Sequence, residues 1–263
     1  MVTMGIGGKD SVELTEKEQQ ARARVCLPLD NLMTIGDVES RVRELGPVVG
    51  MFKVGKGSYT RFGPDVVRAV RHSGSEVFLD LKFHDIPATV EDASYAAAAL
   101  GVYMFNVHAA GGPEMLQAAV RGATRASEDY GGDRPHVIGV TLLTSIDQQG
   151  LTENMRVSES VGDYVLSLAK QCCHAGLDGV VCSAADLQAI TPHLPGEFMY
   201  VTPGIKGSNT PAGSDQKRVY TPGNAIEDGS SILVVGRAIT AHPTAGERVQ
   251  AGYAVLQDME KHI

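Results

Sequence analysis

Short apolar runs alternate with longer stretches of helical periodicity along almost the whole chain. Residues 25–30, 51–55, 77–82, 104–108, 136–144, 179–183, 199–203 and 232–237 have the length and composition of buried strands. Between them, residues 37–45, 63–73, 89–100, 113–130 and 161–175 carry the spacing of helices. Gly46, Gly74, Gly101 and Gly176 close four of these segments, as C-terminal caps should. Strand-helix alternation predicts a parallel sheet, and eight such units in 263 residues predict a single-domain (β/α)8 barrel, a TIM barrel. A doubly wound open sheet is the competing architecture, although no Gly-x-Gly-x-x-Gly turn follows the first strand. Residues 1–22 read as an N-terminal extension, with a polar helix over residues 13–24, and residues 23–263 as the barrel domain. Gly5-Ile6-Gly7-Gly8-Lys9-Asp10 lacks the spacing and the preceding strand of a phosphate loop. Pro28 falls inside the first strand, where it forfeits a ladder hydrogen bond, so the chain should be distorted beside Asp30.

Totals narrow the class. A hydrophobic content of 43% suits one large core, and a formal charge of −8 without any basic run argues against a nucleic-acid or acidic-membrane partner. Cys26, Cys172, Cys173 and Cys182 have no metal-ligand spacing, and the adjacent pair suits a helix in a reducing cytoplasm. No apolar run reaches membrane-span length.

Polar residues gather at one end of the expected strands: Asp30, Lys53, Asp80 with Lys82, His108, Thr144, Ser183 and Arg237 stand at C-terminal ends. The N-terminal ends carry no comparable set, and barrel enzymes place their chemistry on the C-terminal face. Within 77–82, alternation puts Phe78, Asp80 and Lys82 on one face, and Asp85 follows a turn later. Each residue has a structural alternative. Asp80 and Lys82 fit a buried ion pair, Asp85 a cap for a helix near Pro87, Lys53 a solvent contact, and His108 a hydrogen-bonded core histidine. Residues 204–218, after strand seven, lack regular periodicity, and loops of that length are usually functional or disordered.

The string Asp80-x-Lys82-x-x-Asp85, set in Phe-Leu-Asp-Leu-Lys-Phe-His-Asp-Ile-Pro, resembles the orotidine 5'-monophosphate decarboxylase family, bacterial type. The resemblance extends to Thr144, to Thr202-Pro203-Gly204-Ile205, to Asp215-Gln216 and to Gly236-Arg237, and so to nearly the whole chain past the extension. It implies decarboxylation of orotidine 5'-monophosphate to uridine 5'-monophosphate, the last step of de novo pyrimidine nucleotide synthesis, without a cofactor or metal. Lys53, Asp80, Lys82 and Asp85 would form an alternating charge array with Lys82 as proton donor. Asp30, Lys53 and Thr89 would hold the ribose, Thr144 and Pro203 the pyrimidine, and Lys206, Gln216, Gly236 and Arg237 the 5'-phosphate. Asp85, Ile86 and Thr89 would enter the site of a second subunit, making a homodimer with shared sites. The loop at 204–218 would then be a lid closed by the phosphate. Two residues depart from the family: Pro28 stands where a small residue is usual, and Lys206 where arginine is, giving a point charge in place of a planar fork. A Mg²⁺-dependent sugar-phosphate decarboxylase or synthase of the same barrel superfamily shares the Asp-x-Lys-x-x-Asp string and remains the alternative. A non-catalytic nucleotide-binding barrel is the other class.

Overall fold

The computed structural model describes residues 14–205 and 220–263. Along the chain, α1 (Glu16–Ala23) precedes β1 (Val25–Pro28), and α2 (Ile35–Leu45) leads to β2 (Met51–Gly55). Helices α3 (Lys56–Phe62) and α4 (Asp65–His72) lead to β3 (Glu76–Phe83), and α5 (Pro87–Ala99) to β4 (Met104–His108). Then come α6 (Pro113–Tyr130), β5 (His136–Val140), α7 (Val161–His174), β6 (Gly179–Val181), α8 (Leu187–Ile190) and β7 (Met199–Pro203). The series continues with α9 (Pro222–Glu227), β8 (Ile232–Val234), α10 (Arg237–Thr240) and α11 (Ala245–Met259). All eight strands are parallel, each pairs with its sequence neighbours, and β8 pairs with β1 to close the barrel. The open sheet is thereby excluded.

Alternation along the strands splits the apolar residues between two cores. Cys26, Met51, Phe78, Met104, Ile138 and Val201 point inward and plug the barrel. Their neighbours, such as Leu27, Phe52, Leu79 and Phe105, point outward beneath the helices. The plug fills the barrel interior, so it is a packed core and not a pore. None of the described helices is long and apolar enough to cross a membrane.

Pro28 causes less distortion than its position suggested. It ends β1, past the last β1–β8 pair at Cys26 and Val234, so its missing N–H breaks no ladder bond there. On the other side Pro28 stays in register with Lys53, and the Leu29 N–H still donates to the Lys53 carbonyl at 3.0 Å. At the opposite end of the barrel, α1 begins in a reciprocal cap between Thr15 and Glu18. It lies against the barrel, with Lys17 donating to the Ile263 carbonyl at 2.8 Å and the Gly50 N–H to that of Arg22 at 3.0 Å.

Candidate active site

The C-terminal mouth is built by β2, β3 and β4. Register sets Lys53 beside Phe78 and Gly55 beside Asp80, so a lysine on β2 and an aspartate on β3 both rise just above the plug. Lys53 Nζ lies 2.9 Å from Asp80 Oδ2, and Lys82 Nζ pairs with Asp80 Oδ1. Asn106, on the inner face of β4 and 1% exposed, donates from Nδ2 to Asp80 Oδ1 at 2.7 Å. Asp80 itself is 8% exposed and has partners from three strands.

A buried carboxylate is costly unless cations and donors compensate it. Burial pushes the Asp80 pKa up, but Lys53, Lys82 and the Asn106 amide outweigh it and hold the group below the usual carboxylate range. Burial likewise pulls the Lys53 ammonium down, while Asp80 and Asp30 together lift it above its ordinary value. Both shifts describe the same charged pair. Beneath it the Cys26 thiol is driven upward by burial and stays protonated. At the end of β4, burial and the nearby His84, Lys56 and Lys82 depress the His108 imidazole.

Lys82 reaches Asp80 by a backbone irregularity rather than by simple alternation. The β3–β4 register shifts between the Leu79–Phe105 and Phe83–Val107 pairs, which makes a bulge at Asp80, Leu81 and Lys82. Lys82 has φ of 53°, a left-handed conformation that side chains rarely adopt.

Of the residues expected at the site, Asp30, Lys53, Asp80 and Lys82 come together. Asp30 is held near the array because the Ser58 hydroxyl, on α3, bonds the Leu29 carbonyl. Thr144, Ser183 and Pro203 line one crevice at the same mouth, between β5 and β7. Gly236 and Arg237 open α10 directly after β8. Asp85, Ile86 and Thr89 are not drawn to the array within one chain; all three are exposed at the start of α5, with Ile86 at 66%. Asp85 does not cap that helix. Ile86 is the N-cap without a side-chain bond, and Asp85 accepts the Ile86 N–H at 2.7 Å. Lys206, Gln216 and the greater part of the expected lid lie outside the described residues.

Two residues at the mouth were not singled out in the sequence. Asn106 shares its face with Met104 and His108, and a polar residue at that alternate position in an apolar strand was the available signal. Gly55 is the second: a Cβ there would lie 3.3 Å from Lys53 Nζ and 3.4 Å from Asp30 Oδ1, so a side chain would crowd both. No sequence pattern marks that approach.

Comparison with known proteins places this geometry. Residues 23–251 match the family described as Orotidine 5'-phosphate decarboxylase / HUMPS family. An orotidine 5'-phosphate decarboxylase of Vibrio cholerae is 47% identical over 221 residues, covering 83% of this chain and 92% of the relative. One from Syntrophus aciditrophicus is 44% identical over 225 residues, covering 86% and 89%. Among solved structures, that of orotidine 5'-phosphate decarboxylase from Lactobacillus acidophilus superposes with a TM-score of 0.77 at 35% identity, covering 89% of this chain and 98% of the other.

Proposed function

This chain belongs to the orotidine 5'-phosphate decarboxylase / HUMPS family, and from that premise we propose that it converts orotidine 5'-monophosphate to uridine 5'-monophosphate and carbon dioxide. The observation that carries the reading is the Asp80 carboxylate clamped between Lys53 and Lys82 at the mouth of a plugged barrel. Breaking the bond from C6 to the carboxylate leaves an electron pair on C6, which needs a fixed positive charge beside it. The Lys82 ammonium supplies that charge, then delivers its proton to C6, and the resulting amine is reprotonated from solvent. Asp80, facing the departing carboxylate, holds both lysines in place. No cofactor or metal enters this sequence.

Binding roles follow position. Asp30 and Lys53 are at hand for the ribose hydroxyls, and Thr144 and Pro203 flank a crevice suited to the pyrimidine. Gly236 and Arg237 follow β8 directly, where barrel enzymes often bind phosphate, and Lys206 and Gln216 are assigned with them from the family pattern. Asp85, Ile86 and Thr89 are assigned to the neighbouring site of a homodimer, since all three are exposed beside their own mouth. Such an enzyme would serve the last step of pyrimidine nucleotide synthesis in the cytoplasm. The test is decarboxylation of orotidine 5'-monophosphate with EDTA present, followed by loss of orotate absorbance and release of carbon dioxide. Turnover in EDTA is expected; activity on sugar phosphates alone, abolished by EDTA and restored by Mg²⁺, would overturn the reading.

A further inference from the structure

Asn106 has a position that neither its strand nor its burial explains. The β3 bulge puts Asp80, Leu81 and Lys82 opposite a stretch of β4 that contains only Asn106 between paired residues. In that gap the Lys82 backbone N–H has no ladder carbonyl to meet, and Asn106 Oδ1 accepts it at 2.8 Å. Nδ2 of the same amide donates to Asp80 Oδ1 at 2.7 Å. One side chain therefore grips the backbone of the lysine and the carboxylate that the lysine's amine pairs with. A residue with a side chain in the left-handed region is strained and persists only where its surroundings enforce it. The Lys82 backbone is such a residue, and Asn106 is the side chain that meets its N–H.

We infer that Asn106 is a positioning residue of the reaction: it locks the Lys82 kink and thereby sets the height of the ammonium over the reacting carbon. This rests on the decarboxylase reading above. A neutral amide suits the task. It offers a donor and an acceptor in one plane, and adds no charge to a site already containing Asp80, Lys82, Lys53 and, nearby, Asp30 and His108. Serine or alanine would be too short to bridge both groups, and aspartate would keep the acceptor but set a second carboxylate against Asp80.

The experiment compares Asn106→Ala and Asn106→Asp with the unmodified enzyme, with thermal denaturation to establish folding. Losing the bond to the Asp80 carboxylate and the bond that fixes the Lys82 backbone should lower kcat of Asn106→Ala by about ten- to hundredfold, with KM for orotidine 5'-monophosphate changed far less, since ribose and phosphate are held elsewhere. The acid limb of kcat/KM should also move to higher pH, because the amide bond favours ionised Asp80. In Asn106→Asp, which keeps the side-chain shape, that limb should move further, because a like charge opposes ionisation. A folded Asn106→Ala with the original kcat and acid limb would reduce Asn106 to packing. Equal losses in Asn106→Ala and Asn106→Asp with an unmoved acid limb would also overturn the inference. If instead the unmodified enzyme releases no carbon dioxide from orotidine 5'-monophosphate, the decarboxylase reading itself has failed.

Discussion

Asp80 is the residue on which the site turns, and its three partners come from two neighbouring strands and its own. That redundancy changes what Lys82→Ala should do. From sequence alone, removing Lys82 leaves Asp80 and Asp85 facing each other unpaired, with a cost of about 3–5 kcal/mol for a broken buried pair. In the structure Asp85 is exposed, and Asp80 keeps Lys53 at 2.9 Å and Asn106 at 2.7 Å. We therefore expect Lys82→Ala to lose turnover by about a hundredfold to ten-thousandfold or more, yet to unfold within a few degrees of the parent. Thermal denaturation beside kcat measures both, and a large stability loss would show that Lys82 is mainly a structural partner. Asp30, Lys53, Asp80 and Lys82 were legible in the sequence because charges inside apolar runs are conspicuous. Asn106 and Gly55 were not, since a neutral amide and a missing side chain signify only when the facing strand is known.

Elements were legible from their periodicity, and their ends less so. The apolar runs at 136–144, 179–183 and 232–237 outlast β5, β6 and β8, which stop at Val140, Val181 and Val234. Hydrophobic runs record burial, whereas strand ends record pairing, and single bonds such as Thr141 N–H to the Val181 carbonyl continue past the ladder. The bulge in β3 has no apolar signature at all. Helix packing gives a sharp expectation. A Cβ at Gly122 on α6 would stand 2.2 Å from the Glu91 carbonyl of α5, so Gly122→Ala must push the two helices apart. Overpacking of this kind costs about 1–3 kcal/mol, and because α5 begins just beyond Asp85 and Ile86, activity should fall together with the melting temperature. Unchanged stability in Gly122→Ala would mean the helices yield freely. At the N-terminal end, Arg134 forks onto Asp178 at 3.0 and 2.5 Å, and the Val137 N–H adds a bond at 2.7 Å. Burial opposes ionisation of Asp178, but His136, Arg134 and Val137 outweigh it and bring the pKa from 3.8 to about 2. A depressed carboxyl stabilises the fold above its unfolded pKa, and that contribution is lost as pH falls from about 4 towards 2. Asp178→Asn should thus be less stable than the parent near neutrality and converge with it in acid. Parallel stability curves from pH 6 to 2 would exclude Asp178 as the acid-sensitive staple.

At the scale of the whole molecule, Asp85, Ile86 and Thr89 are not drawn to the charged array of their own chain. They stand exposed at the start of α5, at the same end as the Lys53–Asp80–Lys82 array. Ile86 is 66% exposed, and the one described bond of the Asp85 carboxylate is to the next residue's N–H. A two-fold symmetric dimer would bury the same patch on both subunits and carry each Asp85 towards the partner's Lys82. The arrangement predicts complementation. If Lys82 is the proton donor and Asp85 completes the array, as proposed, Lys82→Ala and Asp85→Ala should each be inactive alone. Mixed and allowed to exchange, they should form heterodimers in which one mouth has both mutations and the other has neither. Random exchange of equal amounts makes half the dimers mixed, so about a quarter of all mouths should be intact, with activity returning to that level. Native mass spectrometry would establish the exchange independently of the assay. Heterodimers without recovered turnover would mean that Asp85 acts within its own chain or not at all, and recovery without heterodimers would point to a contaminating activity.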